Sequence, residues 1–407
     1  MLFNMNKDSR LKVTLILLLQ IMIIVFLIVA CSGVQEEKSI PVANQKVNQE
    51  DNTKTLDPDI NISKHANDIL EKMTIDEKIH QMLFVTPEVL TGIGQVVQAG
   101  ETTKQSLYTH PVGGIIYFNE NIVDKEQVQT MITQTQSFAK IPLFIGVDEE
   151  GGRVSRISKD FFIPIEPMAH IGASGDASKA LETGKIIAAN IKSMGFNVTF
   201  APVADVLTDP NNMAIGDRSF GKDPYIVADM VKQEVIGLQT NGVSAAIKHF
   251  PGHGGTTTDT HQGYTESFRT VDDLRSIDFL PFKAGIDTGV DFVMLSHISS
   301  TQADNSGLPA SLSKIMVTDY LKNELNFKKI IITDSMSMGA ILNNYSSGEA
   351  AVLAIQAGVD MLLCPSDIDE TVQGIKNALK KGELSEKQIN DSVAKILKVK
   401  IDRGIIE

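Results

Sequence analysis

Tryptophan is absent from the 407 residues, and aromatic side chains make up only 6% of them. A long open cleft paved with stacking platforms is therefore not expected, and a compact pocket suits the composition better. Cysteine is nearly absent too, Cys31 and Cys364 being the two copies. Cys364 lies in the apolar run Asp360-Met-Leu-Leu-Cys-Pro365 and reads as a small buried hydrophobe, so no fold-stabilising disulfide is expected. Blocks of basic residues are missing, and the formal net charge is -13. That sign repels a phosphate backbone, so nucleic acid is not expected as a partner.

Long apolar runs are confined to one place. Lys7, Arg10 and Lys12 precede Val13 to Val29, which is apolar but for Thr14 and Gln20, and the run ends in Ile28-Val29-Ala30-Cys31. A basic start, an apolar middle and small residues before a cysteine resemble a bacterial lipoprotein signal. Residues 1–30 are then a signal peptide, Cys31 the lipidated residue, and the protein is anchored by lipid on the outer, extracytoplasmic side of the cell membrane. An uncleaved membrane anchor, the other reading of such a run, places the rest on the same side. Residues 31–61, rich in Gln, Asn, Glu, Lys and Asp, read as a flexible tether.

From residue 62 to 407 the pattern is that of one folded unit. Short apolar segments at 80–85, 112–118, 142–148, 196–203, 243–250, 291–298, 329–334 and 360–364 predict eight strands. Helical periodicity separates many of them, as at 177–194, 224–241 and 271–289, and continues from residue 368 onward. Eight strands with intervening helices predict an α/β fold of the (β/α)8 TIM type, a single catalytic domain of roughly the 250 residues or more such barrels need. A monomer is expected.

In such a barrel, polar residues at the carboxyl ends of strands gather on one face. Here they are Asp148-Glu149-Glu150, Asp205, Lys248-His249, His253, Ser296-His297 and Asp334. A carboxylate directly after Ile330-Ile-Ile-Thr333 is hard to explain as packing, because charged groups in such places are paired, ligated or reactive. The other structural reading of Asp334 is a helix N-cap.

The chain resembles the family 3 glycoside hydrolases, and within them the β-N-acetylglucosaminidase branch. The resemblance is carried by Asp148-Glu-Glu-Gly-Gly-Arg-Val154, Arg218-Ser-Phe-Gly221, Lys248 to Gly254, Asp259-Thr-His261 and Ile332-Thr-Asp334-Ser-Met336, in that order along the chain. It implies retaining hydrolysis, with Asp334 as nucleophile on a rigid strand end. It also implies an unusual acid/base, His261, oriented by Asp259 as carboxylates orient catalytic imidazoles. Asp148, Arg218, Lys248 and His249 are the implied sugar-binding set, and Arg156 is a candidate contact to the aglycone or acetamido side. Glu150 is equally suited to pairing with a neighbouring arginine, while Asp205 and His253 are expected to hold loops. Two departures from the family's pattern are Gly255, where Asp is usual, and Glu149, where Gln is usual.

The implied activity is exo-hydrolysis of glycans ending in β-N-acetylglucosamine, peptidoglycan fragments among them, with no metal and no organic cofactor. A histidine acid/base repels an incoming anion less than a carboxylate does, so phosphorolysis is the related alternative, as is β-glucosidase activity. Two rivals come from other classes. His249, His253, Asp259 and His261 could ligate a metal, although Lys248 beside the first histidine opposes a cation. A lipid-anchored sugar-binding protein without catalysis would need no nucleophile.

Overall fold

The computed structural model describes residues 58–256, 263 and 265–407; residues 1–30 with Cys31, most of the tether, Asp259 and His261 lie outside the described residues. The strands, in chain order, are β1 (Leu83–Val85), β2 (Gly114–Ile116), β3 (Phe144–Val147), β4 (Val198–Thr199) and β5 (Ser244–Phe250). They continue with β6 (Thr265–Ser267), β7 (Phe292–Leu295), β8 (Ile298–Ser300), β9 (Ile330–Thr333) and β10 (Leu362–Leu363). Eight of them form one sheet in the order β10-β1-β2-β3-β4-β5-β7-β9, and every pairing in it is parallel. The open ends meet through a parallel bridge between Ile332 and Met361, which closes the sheet into a (β/α)8 barrel. Each barrel strand falls inside a predicted segment. The strands β6 and β8 were not legible, because Thr-Glu-Ser and Ile-Ser-Ser are too short and polar for any periodicity to show.

The barrel is filled by aromatic rings stacked in its interior. Phe84 packs on Phe200 and Phe144 with centroid separations of 5.4 and 6.4 Å, and Phe144 meets Phe292 at 5.2 Å. Room for Phe84 comes from its neighbours, since a Cβ on Gly114 or Gly146 would lie 2.8 Å from its ring. Strands buried on both faces read as unbroken apolar runs, which is why their positions were evident from sequence.

Outside the barrel, the helices Ala177–Ser193 and Pro224–Thr240 begin where Asp176 and Asp223 accept backbone N–H groups of the first turn. The stretch predicted at 271–289 is instead a short turn, Val271–Asp273, a π-helical turn, Leu274–Asp278, and an α-helix, Phe279–Asp287. The terminal helix Glu386–Asp402 packs against the helices Pro58–Leu70 and Ile75–Gln81. Its last turn anchors it: Arg403 donates through Nε and Nη2 to buried Asp291 at 2.5 and 3.0 Å. Lys400, fully buried, donates to Gln81 Oε1 at 2.9 Å. No helix among the described residues is long and apolar enough to cross a membrane.

Candidate active site

Asp148 follows β3, Asp205 lies beyond β4, Lys248 and His249 end β5, His297 follows β7 and Asp334 follows β9. Parallel strands put all these ends on one face, so the residues converge although they span most of the chain. Strict alternation would send Lys248 and His249 to opposite faces. The pairing of β5 with β7 instead slips between Ile247 and Phe250, and both side chains join the cluster.

The cluster is a continuous ionic network. Lys248 Nζ lies 3.0 Å from Asp148 Oδ1 and 2.5 Å from Glu150 Oε1. Glu150 also accepts both arms of Arg218, from Nε and Nη2 at 2.8 Å each. Arg218 Nη1 donates to the Ala214 carbonyl at 2.9 Å, and Nη2 comes within 3.4 Å of His249 Nε2. On its other side His249 meets Asp205 through Nδ1, 2.7 Å from Oδ2. Asp205 Oδ1 accepts the His253 N–H at 2.6 Å, so it holds the loop after β5 as expected.

Burial sets the electrostatics. Desolvation would raise the Glu150 carboxyl, but Arg218 and Lys248 outweigh it and hold the group well below the usual carboxylate range. Burial likewise works to lower the Lys248 ammonium, and Asp148 and Glu150 reverse the effect, so the amine stays charged. Asp334 is half-buried, and desolvation works to raise its carboxyl, yet it is held below its ordinary range by the charges of His249 and His297, the Ser335 N–H at 2.7 Å and Lys248. The backbone of Asp334 is fixed from both sides: its N–H donates to Leu295 O at 2.8 Å, and Met336 N donates to Leu363 O at 2.8 Å. No helix begins at Ser335, so the carboxylate is not an N-cap. His297 reaches the neighbouring Ser335 carbonyl, with Nε2 at 2.9 Å.

The expected site residues are distributed as follows. Asp148, Arg218, Lys248 and His249 are brought together, and Asp334 shares their field. Arg218 turns its planar fork to Glu150, which is the central acceptor of the network and takes the arginine pairing to which its sequence position is suited. Arg156 enters through its backbone, its N–H donating to Glu149 Oε2 at 2.9 Å, while its buried Nε has no partner among the described residues. Asp259 and His261 lie outside the described residues.

Glu149, one of the two departures, is fully buried and has a structural task. Its carboxylate accepts from Ser155 Oγ at 2.5 Å and from the N–H groups of Arg156, Ile157 and Ser158 at 2.9, 2.8 and 3.2 Å. This folds the loop that carries Glu150. Among the described residues no group of three or more His, Cys, Asp or Glu side chains is placed to hold a metal ion. In the proposed metal set, His249 Nδ1 faces Asp205 and His253 Nδ1 faces Thr256 Oγ1 at 2.7 Å.

A family model described as the glycosyl hydrolase family 3 N terminal domain matches residues 74–399. The chain is 32% identical over 320 residues to a protein named beta-hexosaminidase A from Pseudoalteromonas piscicida, covering 72% of this chain and 53% of that protein. It is 35% identical over 294 residues to a beta-hexosaminidase from Nitrosomonas eutropha, covering 70% and 82% respectively. The chain thus spans about half the length of the former and most of the latter. Among solved structures it superposes on a glycoside hydrolase family 3 beta-N-acetylglucosaminidase from Paenibacillus with a TM-score of 0.77 and 32% identity, covering 82% of this chain and 63% of that one. A family 3 glycosyl hydrolase from Mycobacterium smegmatis gives a TM-score of 0.73 at 28% identity, over 81% of this chain and 98% of that one.

Proposed function

The chain belongs to glycosyl hydrolase family 3, and from that membership we propose that it is a retaining exo-β-N-acetylglucosaminidase acting on glycans, peptidoglycan fragments among them, that end in β-N-acetylglucosamine. The observation that carries the reading is Asp334, a half-buried carboxylate kept ionised at the end of β9 in the field of His249, His297 and Lys248. A nucleophile must be charged, rigidly aimed and adjacent to the groups that hold the sugar, and this position meets all three needs. The name beta-hexosaminidase on relatives from two organisms favours the acetamido sugar over glucose.

In this reading the sugar hydroxyls are held by Asp148, Lys248 and His249, with Arg218 and Glu150 keeping those groups charged and in place. Asp334 attacks the anomeric carbon as the glycosidic bond breaks, and His261 gives its proton to the leaving oxygen. His261 then takes a proton from the water that releases the sugar with its configuration retained. Asp259 orients the imidazole and supports its cationic form.

Release of nitrophenol from the β-N-acetylglucosaminide and from the β-glucoside, both in EDTA, tests the reading. Turnover that prefers the acetamido sugar is expected. Turnover of the glucoside alone would move the chain to another branch of the family, and no turnover of either would overturn the enzymatic reading.

The segment ending at Cys31 supports a location on the outer face of a bacterial membrane, with the catalytic domain tethered by a lipid. Membrane partition of a Cys31→Ala variant tests it.

A further inference from the structure

Asp205 is fully buried beyond β4, and the ring of His249 is the side chain it meets. Its Oδ2 stands 2.7 Å from His249 Nδ1, while Oδ1 accepts the His253 N–H at 2.6 Å and, more loosely, the His249 N–H at 3.3 Å. Holding the loop after β5 requires only an acceptor for those two backbone groups, and the neutral oxygen of an asparagine would supply it. A buried carboxylate is the costlier choice unless its charge has a use. Among the described residues no lysine or arginine pairs with Asp205, and its ion-pair partner is the His249 imidazole.

What meets the two ring nitrogens decides where the proton sits. A carboxylate only accepts, so the proton between Asp205 and His249 belongs on Nδ1. Nε2 is turned toward Arg218 Nη2, 3.4 Å away, and arginine nitrogens only donate. In the neutral ring Nε2 therefore carries the lone pair and faces the ionic cluster of Arg218 and Glu150. In acid it takes the second proton, and Asp205 then supports the cation. The charged and titratable groups around the ring are Asp205 and Arg218 after β4, Lys248 beside it on β5, His253 after β5 and Asp334 after β9.

We propose that Asp205 is a positioning residue that acts through His249, pinning one proton on Nδ1 and so presenting Nε2 to the sugar. With the proton on the other nitrogen, the neutral ring would turn a donor toward the Arg218 guanidinium and offer the sugar no acceptor. The inference rests on the reading of His249 as a sugar-holding group. Exchanging the carboxylate for its amide reverses the ring. In Asp205→Asn the amide oxygen still takes the His253 N–H, and the amide nitrogen faces Nδ1 as a donor, so the proton moves to Nε2.

Nuclear magnetic resonance of the protein labelled with nitrogen-15 histidine reads the tautomer directly, His249 being assigned by the signals lost in His249→Ala. The wild type is expected to carry its proton on Nδ1 and Asp205→Asn on Nε2. A wild-type Nδ1 without a proton would overturn the proposal, and this arm needs no folded Asp205 variant. The second arm is a double-mutant cycle on turnover of the nitrophenyl β-N-acetylglucosaminide. Asp205→Asn is expected to lower kcat/KM on the order of tens-fold, the size of a lost hydrogen bond to a charged group. With His249 already replaced by alanine, the same change should alter kcat/KM less than about twofold. Equal losses in both backgrounds, with a matching fall in thermal stability, would show that Asp205 merely holds the loop and would overturn the proposal. The His249→Ala variant separates this failure from a deeper one. If it loses activity and the cycle is additive, the positioning role fails alone; if it is as active as the wild type, the sugar-holding reading of His249 fails and takes this proposal with it.

Discussion

Asp334 holds a negative charge where desolvation opposes it, and the opposition is overcome by His249 on β5, His297 after β7, one backbone N–H and Lys248. Asp334→Ala is therefore expected to lower turnover on the order of 10⁴-fold or more, as loss of a covalent nucleophile does, with an unchanged fold by circular dichroism. Because its carboxyl lies below the ordinary aspartate value of 3.8, the acid limb of the kcat/KM profile should also fall below that value. A limb at the usual range or above would point to a different essential carboxylate. Glu150 makes a second prediction at this scale. It is the shared counter-charge of two buried cations, so Glu150→Gln leaves Arg218 and Lys248 under-compensated. The expected result is a loss of about 3–5 kcal/mol of stability together with a raised KM, read by urea denaturation and by initial rates.

At the scale of the element, the terminal helix Glu386–Asp402 closes the barrel floor with an unusual residue. Burial brings the Lys400 ammonium down to about 7, against 10.5 for an ordinary lysine. Between those values the unfolded chain binds more protons than the folded one, so this residue makes stability rise with pH across that window, by up to about 1.4 kcal/mol per pH unit. Lys400→Met should flatten the rise and stabilise the protein most at pH 7 and below, as measured by urea midpoints at pH 7 and 9. Loss of stability at both values would mean that the bond to Gln81 and the approach to the Phe144 ring, 5.1 Å from the ammonium, outweigh the cost of burial. The strands taught a related lesson. Their unbroken apolar character made them legible, whereas the register slip in β5 depends on how that strand pairs with β7 and leaves no mark in a single sequence.

For the whole molecule, closure of the barrel turns a linear succession of strand ends into one ionic cluster. No single strand could carry it: acid groups come from the loop after β3, cations from β5 and the loop after β4, and the proposed nucleophile, Asp334, from beyond β9. The proposed anchor acts at the same scale. Cys31→Ala should shift the protein from the membrane fraction to the soluble fraction of the expressing bacterium without changing its specific activity. An unchanged distribution would favour an uncleaved apolar anchor at Val13–Val29.

The chain's own order of residues determined the number of barrel strands, the face on which chemistry gathers and the identity of the aspartate at the end of β9. These follow from burial, which writes apolar runs into a parallel sheet and leaves charged residues legible wherever they follow one. Only the tertiary structure decided who pairs with whom. Glu150 and Arg218 are 68 positions apart, His249 and Asp205 are 44, and Lys248 and Asp148 are 100. Charge pairing depends on distances of a few ångströms across strand ends, and those distances exist only once the sheet has closed.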